Sequence, residues 1–137
     1  MIISCPSCGQ KNRVHPTKFS EGRCGSCKAA LTAPTHPIEV DTATFDALSK
    51  SVDLPLLVDF WAPWCGPCRA AAPEVAKAAQ SLAGRALVLK INTEQHQDIA
   101  ARLQIRGIPY FAVFQRGKKI AEHTGMTRAD TLVRLVP

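Results

Sequence analysis

All six cysteines of the chain fall into three Cys-x-x-Cys pairs: "CPSC" at Cys5 and Cys8, "CGSC" at Cys24 and Cys27, and "CGPC" at Cys65 and Cys68. Two sulfurs at this spacing can share a metal ion, close a disulfide or work as a reactive dithiol. The first two pairs are separated by fifteen residues. That C-x2-C-x15-C-x2-C spacing suits a tetrahedral four-thiolate zinc site, closed to reactants and therefore structural. Gly9 and Gly25 should permit the bends of the two turns. The segment has few large apolar side chains, so metal binding and folding are expected to be one event. One zinc ion on Cys5, Cys8, Cys24 and Cys27 is the expectation. Two disulfides or an iron–sulfur centre are the alternatives, and His15 and His36 are not needed as ligands.

The third pair sits differently. Cys65 follows an apolar run, "LPLLVDFWA", and immediately precedes an Ala-rich helical stretch. A sulfur at a helix start meets free backbone N–H groups and the positive end of the helix dipole. Both favour the thiolate, so the Cys65 pKa should fall below the free value of about 8.5, near the optimum for an attacking thiol. Cys68 shares the first helical turn and can close a disulfide with Cys65. Gly66 lets a partner backbone approach, and Pro67 suits a first-turn position that needs no N–H donor. A metal-ligand pair or a purely structural disulfide are the competing readings. No further Cys pair is left to complete a metal shell, and a reducing compartment disfavours structural bridges.

Elements that would position these residues are legible in the hydrophobic pattern. Composition changes near residue 34, and "APTHP" reads as a linker, so a 1–33 module, a 34–37 linker and a 38–137 domain are expected. "IEV" is a short strand and "DTATFDALSKS" a capped helix. "LPLLVDFWA" and "ALVLKIN" have the continuous apolar character of strands covered on both faces. Residues 66–83, "QHQDIAARLQ" and "TRADTLVRLV" are helical, and "YFAVFQRGKKIAEHT" is a hairpin about an Arg-Gly turn. The order β-α-β-α-β-α-β-β-α gives an α/β fold: a central mixed sheet flanked by helices and preceded by a small zinc-ribbon-like module.

The length of 137 residues allows one domain plus a small accessory unit. The net charge of +6 is concentrated in the first 35 residues, where five basic side chains face Glu21 alone. Four thiolates with one divalent ion would offset part of that excess. An acidic partner is thus optional, and the sparse aromatics of the segment (Phe19 only) argue against nucleic acid. The N-terminus lacks the pattern of a signal peptide, and no apolar run approaches a membrane span. A cytoplasmic monomer without membrane contact is expected.

"VDFWAPWCGPC", followed in order by "APE", "KIN", "IRGIPYFAVF", "RG" and "TG", resembles the thioredoxin family over residues 38–135. The resemblance implies a thioredoxin fold and protein-disulfide reduction. Cys65 would be the nucleophile and Cys68 the resolving thiol. Asp59 would be the buried acid/base that assists Cys68, and Lys90 the lysine that tunes Asp59. Pro109 would be a cis-proline beside the disulfide, leaving the Ile108 backbone open to an extended substrate. Trp64, Gly66, Pro67, Ile108 and Gly125 would form the substrate surface, with Phe60 and Trp61 in the core and Pro73 kinking the long helix. Implied partners are disulfide-containing proteins and an NADPH-dependent thioredoxin reductase, with no bound organic cofactor. Tyr110 departs from the small residue that many members carry there, which bears on substrate preference beside the disulfide. Together with the four-cysteine segment, the pattern resembles the bacterial thioredoxin 2 type. Two other functions compete: a redox-sensing zinc module that regulates the domain, and a zinc-ribbon binding protein that uses the domain as a scaffold.

Overall fold

The computed structural model describes residues 2–5, 7–13, 22–31 and 34–137. His15, Phe19 and the expected module boundary at residue 33 lie outside the described residues. Strands β1 (Ile2–Ser4) and β2 (Lys11–Arg13) form a small antiparallel ribbon, and Arg23 bridges Ala30 nearby. The remaining elements are β3 (Ile38–Glu39), α1 (Thr42–Ser51), β4 (Leu56–Trp61), α2 (Gly66–Leu82), β5 (Leu87–Asn92), α3 (Gln97–Arg102), β6 (Tyr110–Gln115), β7 (Lys118–Thr124) and α4 (Ala129–Leu135).

Five strands make one sheet in the order β3-β5-β4-β6-β7. The pairs β3–β5 and β4–β5 are parallel, and β4–β6 and β6–β7 are antiparallel. The mixed sheet and terminal hairpin expected from the sequence are present. β4 is central, and five of its six residues are buried, as its unbroken apolar run requires.

Because side chains alternate along a strand, each sheet face collects its own core. Leu56, Val58 and Phe60 point with Leu87, Leu89, Ile91, Ala112 and Phe114 to the side carrying Phe45 and Leu48 of α1 and Ile99 of α3. Leu57, Val88, Phe111 and Val113 point to the side covered by α2 and α4 through Ala71, Val75, Ala78 and Leu132. Asp59 lies between Leu57 and Trp61 on that second face. Among the described residues it is the one buried carboxylate.

Local chemistry fixes the helix ends. The Thr44 N–H donates to Asp41 Oδ1 at 2.7 Å, capping α1. α4 has no side-chain cap of its own; Glu74 from α2 supplies one, its Oε1 accepting from the Ala129 N–H at 3.0 Å. Pro73 is accommodated within α2. The four-cysteine module rests on the domain: Cys5, Cys24 and Leu31 are buried in the same apolar cluster as Val40, Phe45 and Leu48.

Candidate active site and metal centre

Cys65 is the N-cap of α2, in extended conformation, with Pro67 in the first turn. Its Sγ accepts from the Cys68 N–H at 3.1 Å. The sulfur thus takes the place that a Ser or Asp oxygen usually takes at a helix start, where orphan N–H groups favour a negative partner. Cys65 and Cys68 are joined as a disulfide, with Cα atoms 5.2 Å apart. Both are buried among Ala62, Trp61 and Ile108, while Pro63, Trp64, Gly66 and Pro67 around them are exposed. The disulfide thus lies just under an exposed surface.

Beneath this layer, Asp59 is 2 % exposed, and its Oδ1 has no hydrogen-bond partner among the described residues. Desolvation pushes its carboxyl up to about 7, against the pull of Lys90 and with a smaller upward push from Glu39. Lys90 faces Asp59 directly across the β4–β5 ladder. Its ammonium lies 4.7 Å over the Trp61 ring. The structure therefore places an acid that can hold or release a proton near neutral pH on the sheet face that α2 covers.

The Ile108–Pro109 bond is cis. Pro109 is buried, its carbonyl accepts from the Gly125 N–H at 2.8 Å, and the Ile108 carbonyl lies 3.8 Å from Cys65 Sγ. Gly125 has φ +97, a backbone region that favours glycine. Ile108, Gly125 and the disulfide are thus gathered at one place, and Trp64 stands beside them, 67 % exposed. Phe60 is fully buried, whereas Trp61 is only partly so.

Tyr110 does not line this surface. Its ring packs 5.7 Å from Phe60 on the α1/α3 face, and its hydroxyl bonds to Glu122 and to Lys119 Nζ. The residue after Pro109 begins β6 and faces away from Cys65. Neither Glu122 nor Lys119 is marked by any sequence motif, since their meeting with Tyr110 depends on the β6–β7 register.

The other four cysteines converge. Their sulfurs lie within 4.8 Å of one another, with Cys5–Cys27 and Cys8–Cys24 each at 3.6 Å. A tetrahedron with metal–sulfur bonds of about 2.3 Å has edges of roughly 3.8 Å, so the donor set fits a tetrahedral ion. Two matched turns build it: the Gly9 N–H donates to the Cys5 carbonyl and the Lys28 N–H to the Cys24 carbonyl, each at 2.9 Å. Both Gly9 and Lys28 take positive φ, +77 and +66. Gly25 does not. The bend expected of that glycine is made one residue beyond the second pair, by Lys28. Backbone N–H groups of Cys27 and Ser26 draw the Cys24 thiol down against its burial, while the neighbouring Cys24 and Cys27 sulfurs push Cys8 up, as expected of four thiols crowded together.

The thioredoxin family model matches residues 36–137. Thioredoxin C-3 of Corynebacterium nephridii is 38 % identical over 129 residues, covering 93 % of this chain and 88 % of its own. Thioredoxin 1 of Nostoc is 42 % identical over 94 residues, covering 69 % of this chain and 88 % of its own. Among solved structures, a mutant thioredoxin from Halobacterium salinarum matches with a TM-score of 0.70 at 30 % identity, over 78 % of this chain and 93 % of its own. The matched span contains the strand, the capped dithiol, the buried acid and the cis-proline described above. The chain belongs to the thioredoxin family, and it is a thioredoxin-type thiol–disulfide oxidoreductase.

Proposed function

We propose that the protein works as a reductant of protein disulfides in the cytoplasm, as a monomer, and is recharged by an NADPH-dependent thioredoxin reductase. The observation that carries this reading is the Cys65 sulfur acting as the cap of α2. A thiolate there is stabilised by the same N–H that later faces the disulfide, so the attacking state is favoured. The Cys65 thiolate attacks one sulfur of the substrate disulfide, forming a mixed disulfide and releasing the first substrate thiolate. Cys68 then gives its proton to the Asp59 carboxylate and attacks Cys65 Sγ. The Cys65–Cys68 disulfide forms, the second substrate thiolate leaves, and two electrons have moved from protein to substrate. Trp64, Gly66, Pro67, Ile108 and Gly125 receive the substrate chain, and Lys90 tunes Asp59.

The chain divides into a module at 1–33, a linker at 34–37 and the redox domain at 38–137. Cys5, Cys8, Cys24 and Cys27 hold one structural zinc ion, whose chemistry is to fix the two turns. The match with thioredoxin C-3 covers 93 % of the chain and so reaches into this module, which supports the thioredoxin 2 type.

The test is turnover of a protein disulfide with NADPH and a bacterial thioredoxin reductase, read as NADPH consumption. The parent protein should cycle, and Cys65→Ser should not. Cys68→Ser should stop after one attack and accumulate a covalent mixed disulfide through Cys65. Trapping of substrate by Cys65→Ser instead would reverse the assigned roles.

A further inference from the structure

Strand β3 contributes only two residues to the sheet, yet one of them is Glu39, opposite Lys90. Lys90 is in turn opposite Asp59. Directly opposed residues share a sheet face. Glu39, Lys90 and Asp59 therefore form a row across three neighbouring strands, a single cation between two carboxylates. The strand spacing of about 4.8 Å puts the outer two backbones roughly 10 Å apart. Glu39 is exposed at the sheet edge, whereas Asp59 is sealed under α2. Trp61 adds a fourth member, its ring lying under the Lys90 ammonium. Partial desolvation raises the Glu39 carboxyl as full burial raises Asp59, and at both positions the Lys90 charge pulls the other way, so the two acids share one cation.

We propose that Glu39 is a positioning residue for Asp59, acting through Lys90. An ionised Glu39 draws the Lys90 ammonium toward the sheet edge and adds a like charge to the row. Both effects favour the protonated form of Asp59. With Glu39 neutral, Lys90 is free to serve Asp59 alone, and the Asp59 proton is released at lower pH. Glu39 thus keeps the proton affinity of Asp59 high enough to take the proton of Cys68 near neutrality. This consequence rests on Asp59 being that acceptor. The titratable groups in this row are Lys90 from β5, Glu39 from β3 and, beyond Phe111, His123 from β7; Cys65 and Cys68 lie at the start of α2, the helix that covers this face. His96, ahead of α3, acts on Glu39.

The test follows the Asp59 carboxyl carbon by NMR as a function of pH in the reduced full-length protein, with Glu39→Gln and Glu39→Asp beside the parent. Glu39→Gln should move the Asp59 midpoint down by about half a pH unit, the scale of one solvent-screened charge at this distance. Glu39→Asp, which restores the charge, should bring it back toward the parent. An Asp59 midpoint unchanged or raised in Glu39→Gln overturns the proposal. A second readout separates it from the proton-acceptor reading: the pH profile for resolution of a preformed mixed disulfide between Cys65 and 5-thio-2-nitrobenzoate. That profile should move with the NMR midpoint. If the midpoint moves and the profile does not, the Glu39 coupling is supported and Asp59 is removed from the proton transfer.

Discussion

At the scale of single residues, burial decides what Asp59 does. In the unfolded chain an aspartate titrates near about 3.9, but in the fold desolvation raises Asp59 to about 7. Between those two pH values the unfolded state has released a proton that the folded state keeps. Stability from this group is therefore full below about pH 4, falls as pH rises toward 7, and levels off above. Asp59→Asn removes the buried charge, so the oxidised variant should exceed the parent by roughly 3–4 kcal/mol at pH 8 and by far less at pH 4. Urea unfolding at the two pH values checks this; an equal gain at both would mean that Asp59 carries no raised pKa. The acid is visible in the sequence because it interrupts "LPLLVDFWA", and the contrast between the cysteine pairs is visible from spacing and position alone. Glu39 is not. Its neighbours are Ile38 and Val40, and only the β3–β5 register, a long-range property, brings it opposite Lys90.

At the scale of elements, hydrophobic period locates every strand and helix of the redox domain. Boundaries move where capping or a turn decides: the helix expected over "QHQDIAARLQ" is α3 at Gln97–Arg102, preceded by His96 without a side-chain cap bond. The β1–β2 ribbon is not legible, because three-residue strands built around cysteine turns carry no periodic signal. Tyr110 shows how alternation settles a question that composition leaves open. It is even-numbered with Ala112 and Phe114 on β6, so it faces α1 and α3 and packs on Phe60. Tyr110→Thr should then act as a core truncation, costing roughly 2–4 kcal/mol, while kcat/KM toward a protein disulfide stays within about twofold of the parent. A large loss of kcat/KM in a variant that remains folded would return Tyr110 to the substrate surface.

At the scale of the whole molecule, two kinds of sulfur chemistry are kept apart by architecture. Four thiols are set in paired turns and packed through Cys5, Cys24 and Leu31 against the α1 side of the sheet. Two are placed at the start of α2, over the opposite face. The contrast is legible in the sequence, since one pair abuts a helix and the other two repeat each other. That the module packs into the domain core is not, because it depends on side chains that meet only in the folded chain. The central claim is that this arrangement makes a reductant, and the reduction potential of Cys65–Cys68 tests it most directly. Equilibration with dithiothreitol or glutathione buffers, read by the fluorescence of Trp61 and Trp64, gives that value. A potential near about −270 mV is predicted, that of a thiol pair that reduces others. One near about −180 mV or higher, a shift of roughly 4 kcal/mol toward oxidation, would contradict the account.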